Sequence, residues 1–140
     1  MKLLTQDIRE RLLKNGIIRR DWSLDQPEPD FYPVVKLFTP DAGCTWLLTE
    51  IDPEDTDIAF GLCDLGLGYP ELGTVSLSEL AALRGKLGLP VERDLHFAAY
   101  HTLSVYTEAA RINGVITEDK HALSQAAARL AAEASDGGAS

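Results

Sequence analysis

The chain has 140 residues, 45% hydrophobic and 25% charged, enough for one domain with a real core. Its 22 acidic and 13 basic side chains leave a net charge of −9, which disfavours nucleic acid and anionic membrane as direct partners. No apolar run approaches the ~20 residues of a membrane span, and two cysteines, Cys44 and Cys63, are too few for a disulfide scaffold.

Met1-Lys2-Leu3-Leu4 is followed at once by charged residues, so no secretory leader is read there and a reduced, cytoplasmic protein is expected. Thr5 can cap a helix running to about Lys14, with Leu4, Ile8 and Leu12 at i+4 spacing and Asn15-Gly16 as its stop. Residues 21–33 hold Pro27, Pro29 and Pro33 among acids and read as an extended connector. Strands follow at 34–38, 44–51 and 58–65, joined by short turns, with a further short strand around Val75. Ser76-Leu77-Ser78-Glu79 is a capping box that opens a short helix ending near Gly85. Residues 94–97 suggest an edge strand. Helices are expected from Thr102 to the Asn113-Gly114 stop, and from about Glu118 to Ala134. The reading is α+β: a small antiparallel meander with an N-terminal helix, a central short helix and two C-terminal helices, on one face of the sheet.

Charge is unevenly spread. Between Asp21 and Val75 stand twelve acidic side chains and one basic one, Lys36, whereas residues 1–20 carry a net +4. Such a single-sign stretch attracts cations or basic proteins.

One run of motifs resembles a known family. It comprises Leu37-Phe38-Thr39-Pro40-Asp41-Ala42-Gly43, Thr45-Trp46, Thr49-Glu50 and Phe60-Gly61-Leu62. It continues through Ser76-Leu77-Ser78-Glu79-Leu80, Leu83-Arg84-Gly85 and Leu87-Gly88-Leu89-Pro90 to Glu92-Arg93-Asp94-Leu95-His96-Phe97. The pattern resembles the small bacterial domain of unknown function found on plasmids, integrative elements and phages. The resemblance covers Met1 to about Phe97 and implies an accessory protein of mobile genetic elements, with no activity to carry over. Cys44 stands where an aromatic is expected, which argues against a required thiol. The implied organisation is a 1–97 core, a 98–134 helical extension packed on or beside it, and a disordered tail at 135–140.

Several residues invite a functional reading, each beside a structural one. If hairpin partners sum to 107, Trp46 lies over Gly61 and Cys44 over Cys63, and Trp46 is either sheet packing or a partner-binding anchor. Asp52, Glu54, Asp55 and Asp57 crowd one turn. A calcium loop needs glycine at position six, where Asp57 stands, so these four read as a solvated acidic turn or a binding rim. Asp41 and Glu50 are binding candidates, or Asp41 serves its own turn's backbone. Glu92, Asp94 and His96 would share one strand face, as a catalytic cluster or as edge protection. No cofactor or metal motif is present: the chain lacks a phosphate-cradling glycine loop, a nucleophile elbow and a Cys-x-x-Cys pair.

Three functions remain. The favoured one is a non-enzymatic interaction domain whose acidic face docks a basic protein, in its strong form an inhibitor of a host nucleic-acid-binding or defence protein, with Trp46, Phe31 or Tyr32 as anchors. An alternative is a metal-dependent hydrolase joining Asp41, Glu50, Asp94 and His96 on one ion. The other is a structural subunit self-associating through Ala122, Ala126, Ala127 and Ala131. The sequence leaves the oligomeric state open.

Overall fold

A computed structural model describes residues 2–138, with side chains as far as Ser135. The order is α1 (Gln6–Arg20), β1 (Val35–Phe38), β2 (Thr45–Ile51), β3 (Ile58–Asp64), β4 (Glu71–Ser76), α2 (Leu77–Ala82), β5 (Glu92–Arg93), α3 (Leu103–Asn113) and α4 (Lys120–Gly138). The five strands form one antiparallel sheet in the order β4-β3-β2-β1-β5. The expected α+β class and helix inventory hold.

The helices cover both faces of the sheet, not one. On the first face, Leu12 of α1 and Leu77 and Leu80 of α2 pack with Val35, Leu37, Trp46, Leu48 and Ile51. On the other, Leu103, Tyr106 and Ala110 of α3 and Leu123 and Ala126 of α4 pack with Leu47 and Leu62. Strand β2 is buried from Trp46 to Ile51, as a central strand between two helical layers must be.

α1 does not stop at Asn15-Gly16; it runs one further turn to Arg20. Gly16 is a contact glycine. A β-carbon there would lie 1.7 Å from the Ile51 carbonyl oxygen, so only glycine lets the helix lie this close to β2. Asn15 Nδ2 donates to the Thr49 carbonyl at 2.9 Å in the same contact.

The β2–β3 register also departs from expectation. Trp46 pairs with Cys63 and Leu48 with Gly61, and a bulge between Leu48 and Glu50 then sets Glu50 opposite Phe60. A bulge shifts pleat alternation by one residue, which brings Ile51 into the same cluster as Trp46 and Leu48. Cys44 and Cys63 are free and do not face each other as a pair.

The edge strand near the C-terminal half is β5, Glu92–Arg93, paired with β1; residues 94–97 lie outside it. α3 ends at Gly114, whose φ of 76° suits glycine. α4 extends past Ala134 to Gly138, so the expected disordered tail is helical as far as it is described; Ala139 and Ser140 lie outside the described residues. No described helix is long and apolar enough to cross a membrane.

Candidate functional site

The extra turn of α1 creates the most developed site by carrying Arg19 over the sheet's end. Arg19 Nε and an Nη donate to the two carboxylate oxygens of Glu50 at 3.0 and 3.1 Å, a bidentate pair. The other Nη donates to Glu28 at 3.1 Å, and a fourth N–H reaches the Pro29 carbonyl at 3.3 Å. The guanidinium also sits 5.7 Å from the Phe31 ring centre and 5.9 Å from that of Phe60. Burial pulls its pKa down, but Glu50 and Glu28 outweigh that and raise it. Glu50 is 5% exposed; without its partner it would be a buried lone charge.

Around this pair lies a cleft of about 580 Å³, lined by charged Arg20, Asp52 and Glu54 and floored by Ile58, Phe60 and Thr74. A second hollow, sharing Arg19, Glu28 and Phe60 with the first, continues past Leu72 to Leu103 and Thr107. Together they form a groove between the start of α3 and strand β4, with an acidic rim and an apolar floor. The chemistry offered is recognition: oriented carboxylates, apolar area, and the backbone edge of a sheet.

Asp52, Glu54, Asp55 and Asp57 do share the β2–β3 turn; two of them are used within it and a third caps α2. Asp52 Oδ1 accepts from Glu54 N–H at 2.9 Å and Asp55 Oδ1 from Asp57 N–H at 3.2 Å. Asp57 caps α2, accepting from Ser76 Oγ at 2.5 Å, Ser78 N–H at 2.9 Å and Ser78 Oγ at 3.0 Å. These hydrogen bonds, Ser76 first, hold its carboxyl below the ordinary range. Ser76 Oγ accepts from Glu79 N–H, one half of the expected capping box; among the described residues the return bond from Glu79 is not made, and Asp57 is the carboxylate at this cap.

The remaining candidates separate. Trp46 is 2% exposed and packed beneath α1, so the anchor reading fails: the register places it on a covered face. Asp41 does not serve its own turn. Its Oδ2 accepts from Leu87 N–H at 2.6 Å and Leu89 N–H at 3.2 Å, latching the 83–90 loop, and a β-carbon at Gly85 would fall 1.6 Å from Oδ1. Asp41 lies in the turn before β2 and Glu50 near the strand's far end, so the run from Thr45 to Glu50, five steps of about 3.3 Å, stands between them. Glu92 pairs with Phe38 in the ladder, whereas Asp94 and His96 fall beyond the strand. Asp94 Oδ1 accepts from His96 N–H at 2.9 Å, and Lys36 lies 3.6 Å from its other oxygen and 2.5 Å from Glu118. Exposed His96 therefore shares no strand face with Glu92. Among the described residues no group of three or more His, Cys, Asp or Glu side chains could hold a metal ion, so the four proposed ligands of a hydrolase do not converge. Of the alanines in the Ala-rich run of α4, Ala126 is buried against α3, Ala122 and Ala127 are half-buried, and Ala131 is exposed.

Sequence reasoning missed Arg19, Glu28 and two remote carboxylates. Asp30 caps α3 through Thr102 and Ser104, repeating what Asp57 does for α2. Asp64 ties Gly66 N–H to Ile116 N–H. The repeated Ser/Thr-Leu-Ser at both helix starts was the available signal for the two caps.

No curated protein and no solved structure matches the chain. A family model described as a protein of unknown function, DUF2958, matches residues 3–117, which takes in α1, the whole sheet, α2 and α3 and leaves out α4. The chain belongs to that family of unknown function, DUF2958.

Proposed function

We propose that this protein is a non-enzymatic interaction domain whose acidic groove beside Arg19 and Glu50 receives basic side chains of a protein partner. The observation that supports it most is the groove itself: Glu28, Glu50, Asp52 and Glu54 against Arg19 and Arg20, on an apolar floor, in a chain of net charge −9. Charge of one sign steers a basic partner and repels nucleic acid. The likeness to domains carried on plasmids, integrative elements and phages supports an accessory role, in which the partner is a basic host protein such as a nucleic-acid-binding or defence factor. A cytoplasmic setting fits two free cysteines.

The test compares tagged wild-type protein with a Glu28→Lys/Glu54→Lys variant in a bacterial host. Both positions are exposed, so the fold should survive, as melting curves will show. A basic protein that co-purifies at low salt, is released at high salt and is absent from the variant supports the reading. A partner set identical for both proteins overturns it.

A further inference from the structure

We infer that β4 is an open docking edge that accepts an extended, basic-ended segment of the partner as a sixth strand. The inference rests on the acidic-groove reading and adds how and where the partner's backbone binds.

The two edges of the sheet differ. β5 has two residues, both charged, and its Arg93 is occupied by the Lys2 and Leu3 carbonyls at 3.1 and 2.7 Å. That is a short, charged, covered edge, the usual protection against strand addition. β4 has six residues, one charge (Glu71), no proline, and β3 as its single neighbour in the sheet. Its outer row of backbone N–H and C=O groups is therefore available. Leu72 is 48% exposed on the groove side, where Leu62 pairs with it, and a β-carbon at Gly73 would meet nothing within 4 Å.

Charge selects the occupant. Ten of the twelve carboxylates between Asp21 and Val75 accept a hydrogen bond within the molecule. Among the described residues, the two with no such bond, Glu54 and Glu71, flank β4. Glu71 begins the strand, and Glu54 lines the same cleft as Ile58 and Thr74 at its far end. Five steps of about 3.3 Å separate the ends of a six-residue strand. Leu72 and Thr74 face the groove with Phe60, whereas Glu71 lies opposite Cys63 on the other face of the sheet. The segment that fits therefore has an apolar residue and a cation on its groove side, for Leu72 and Glu54, and a cation at its other end, on the opposite side, for Glu71. A second copy of this chain would bring like charges against both ends, which disfavours β4 pairing with itself.

The experiment uses the full chain and synthetic peptides. The probe is acetyl-Lys-Val-Thr-Val-Thr-Lys-amide, six residues like β4, whose two lysines fall on opposite faces and whose valines share a face with the second lysine. Its controls are the same peptide with Glu in place of Lys, and two versions N-methylated along one edge or the other. Amide hydrogen exchange is followed by NMR. The expected result is roughly tenfold or greater slowing of β4 amides with the lysine peptide. Neither the glutamate peptide nor one of the two N-methylated peptides should produce it. Lysine-peptide binding that N-methylation leaves untouched overturns the edge pairing while keeping the acidic groove. Equal protection by the glutamate peptide overturns the basic occupant. No protection by either peptide overturns the inference outright, and the co-purification with Glu28→Lys/Glu54→Lys still judges the groove on its own. Concentration-dependent protection of β4 without peptide, with a doubled mass, would make the occupant a second copy and overturn it too.

Discussion

Arg19 has five N–H donors, and four of them meet acceptors on three different residues. Its value to the fold lies less in attraction than in what its loss would strand. Arg19→Met leaves Glu50 buried and unpaired, and should cost about 3 kcal/mol, toward the low end for such pairs because Arg19 itself is 31% exposed. Urea unfolding checks this, and Arg19→Met/Glu50→Leu should recover most of the loss; an unrecovered double variant would show that the aromatic contacts of Arg19 matter more than the charge. Asp57 makes a second prediction. Its folded-state pKa is depressed, so its contribution is present above the unfolded value of about 3.9 and is lost as pH falls through the folded one. Asp57→Asn should therefore be less stable than wild type at pH 7, and the gap should close in acid. A gap unchanged at pH 3 would rule the carboxylate out as the cause. Cys63, with its thiol pKa raised by burial, should react slowly with alkylating reagents at neutral pH.

At the scale of elements, Gly16 decides how closely α1 lies on β2 and so whether Arg19 reaches Glu50. Helix propensity alone makes Gly16→Ala stabilising by up to about 1 kcal/mol. The 1.7 Å approach to the Ile51 carbonyl reverses that sign, and the variant should lose about 2 kcal/mol, as overpacked contacts do. Thermal melts distinguish the two signs directly. The same contact explains why the sequence misled here. Asn-Gly after an apolar periodic run has the local chemistry of a stop, and nothing within the helix reveals a carbonyl from β2 lying against it. The β2–β3 hairpin is a parallel case: turn signals located both strands, but the connection is longer than expected, with Glu50 opposite Phe60 and not Asp57, and the bulge at Thr49 then changes the offset by one more residue.

For the whole molecule, α4 falls outside the family match yet is part of the core. Leu123 and Ala126 are buried against α3, which in turn covers Leu47 and Leu62. A chain cut after Thr117 should thus expose the outer side of α3 and unfold at clearly lower urea than the intact protein. Equal midpoints would show that α4 is an appendage. Several features were set by the chain alone: the α+β class, most strand and helix positions, the Ser76 cap, and the acidic middle stretch. All of these depend on periodicity, turn chemistry or counting, which are local. The folded molecule alone decided which acids are spent. Asp30, Asp41, Asp57 and Asp64 meet N–H or hydroxyl donors far along the chain, and topology brings those partners together. It also decided that Trp46 is covered and that Glu54 and Glu71 are left over at the two ends of an open strand, because burial and edge position exist only once both helical layers close on the sheet.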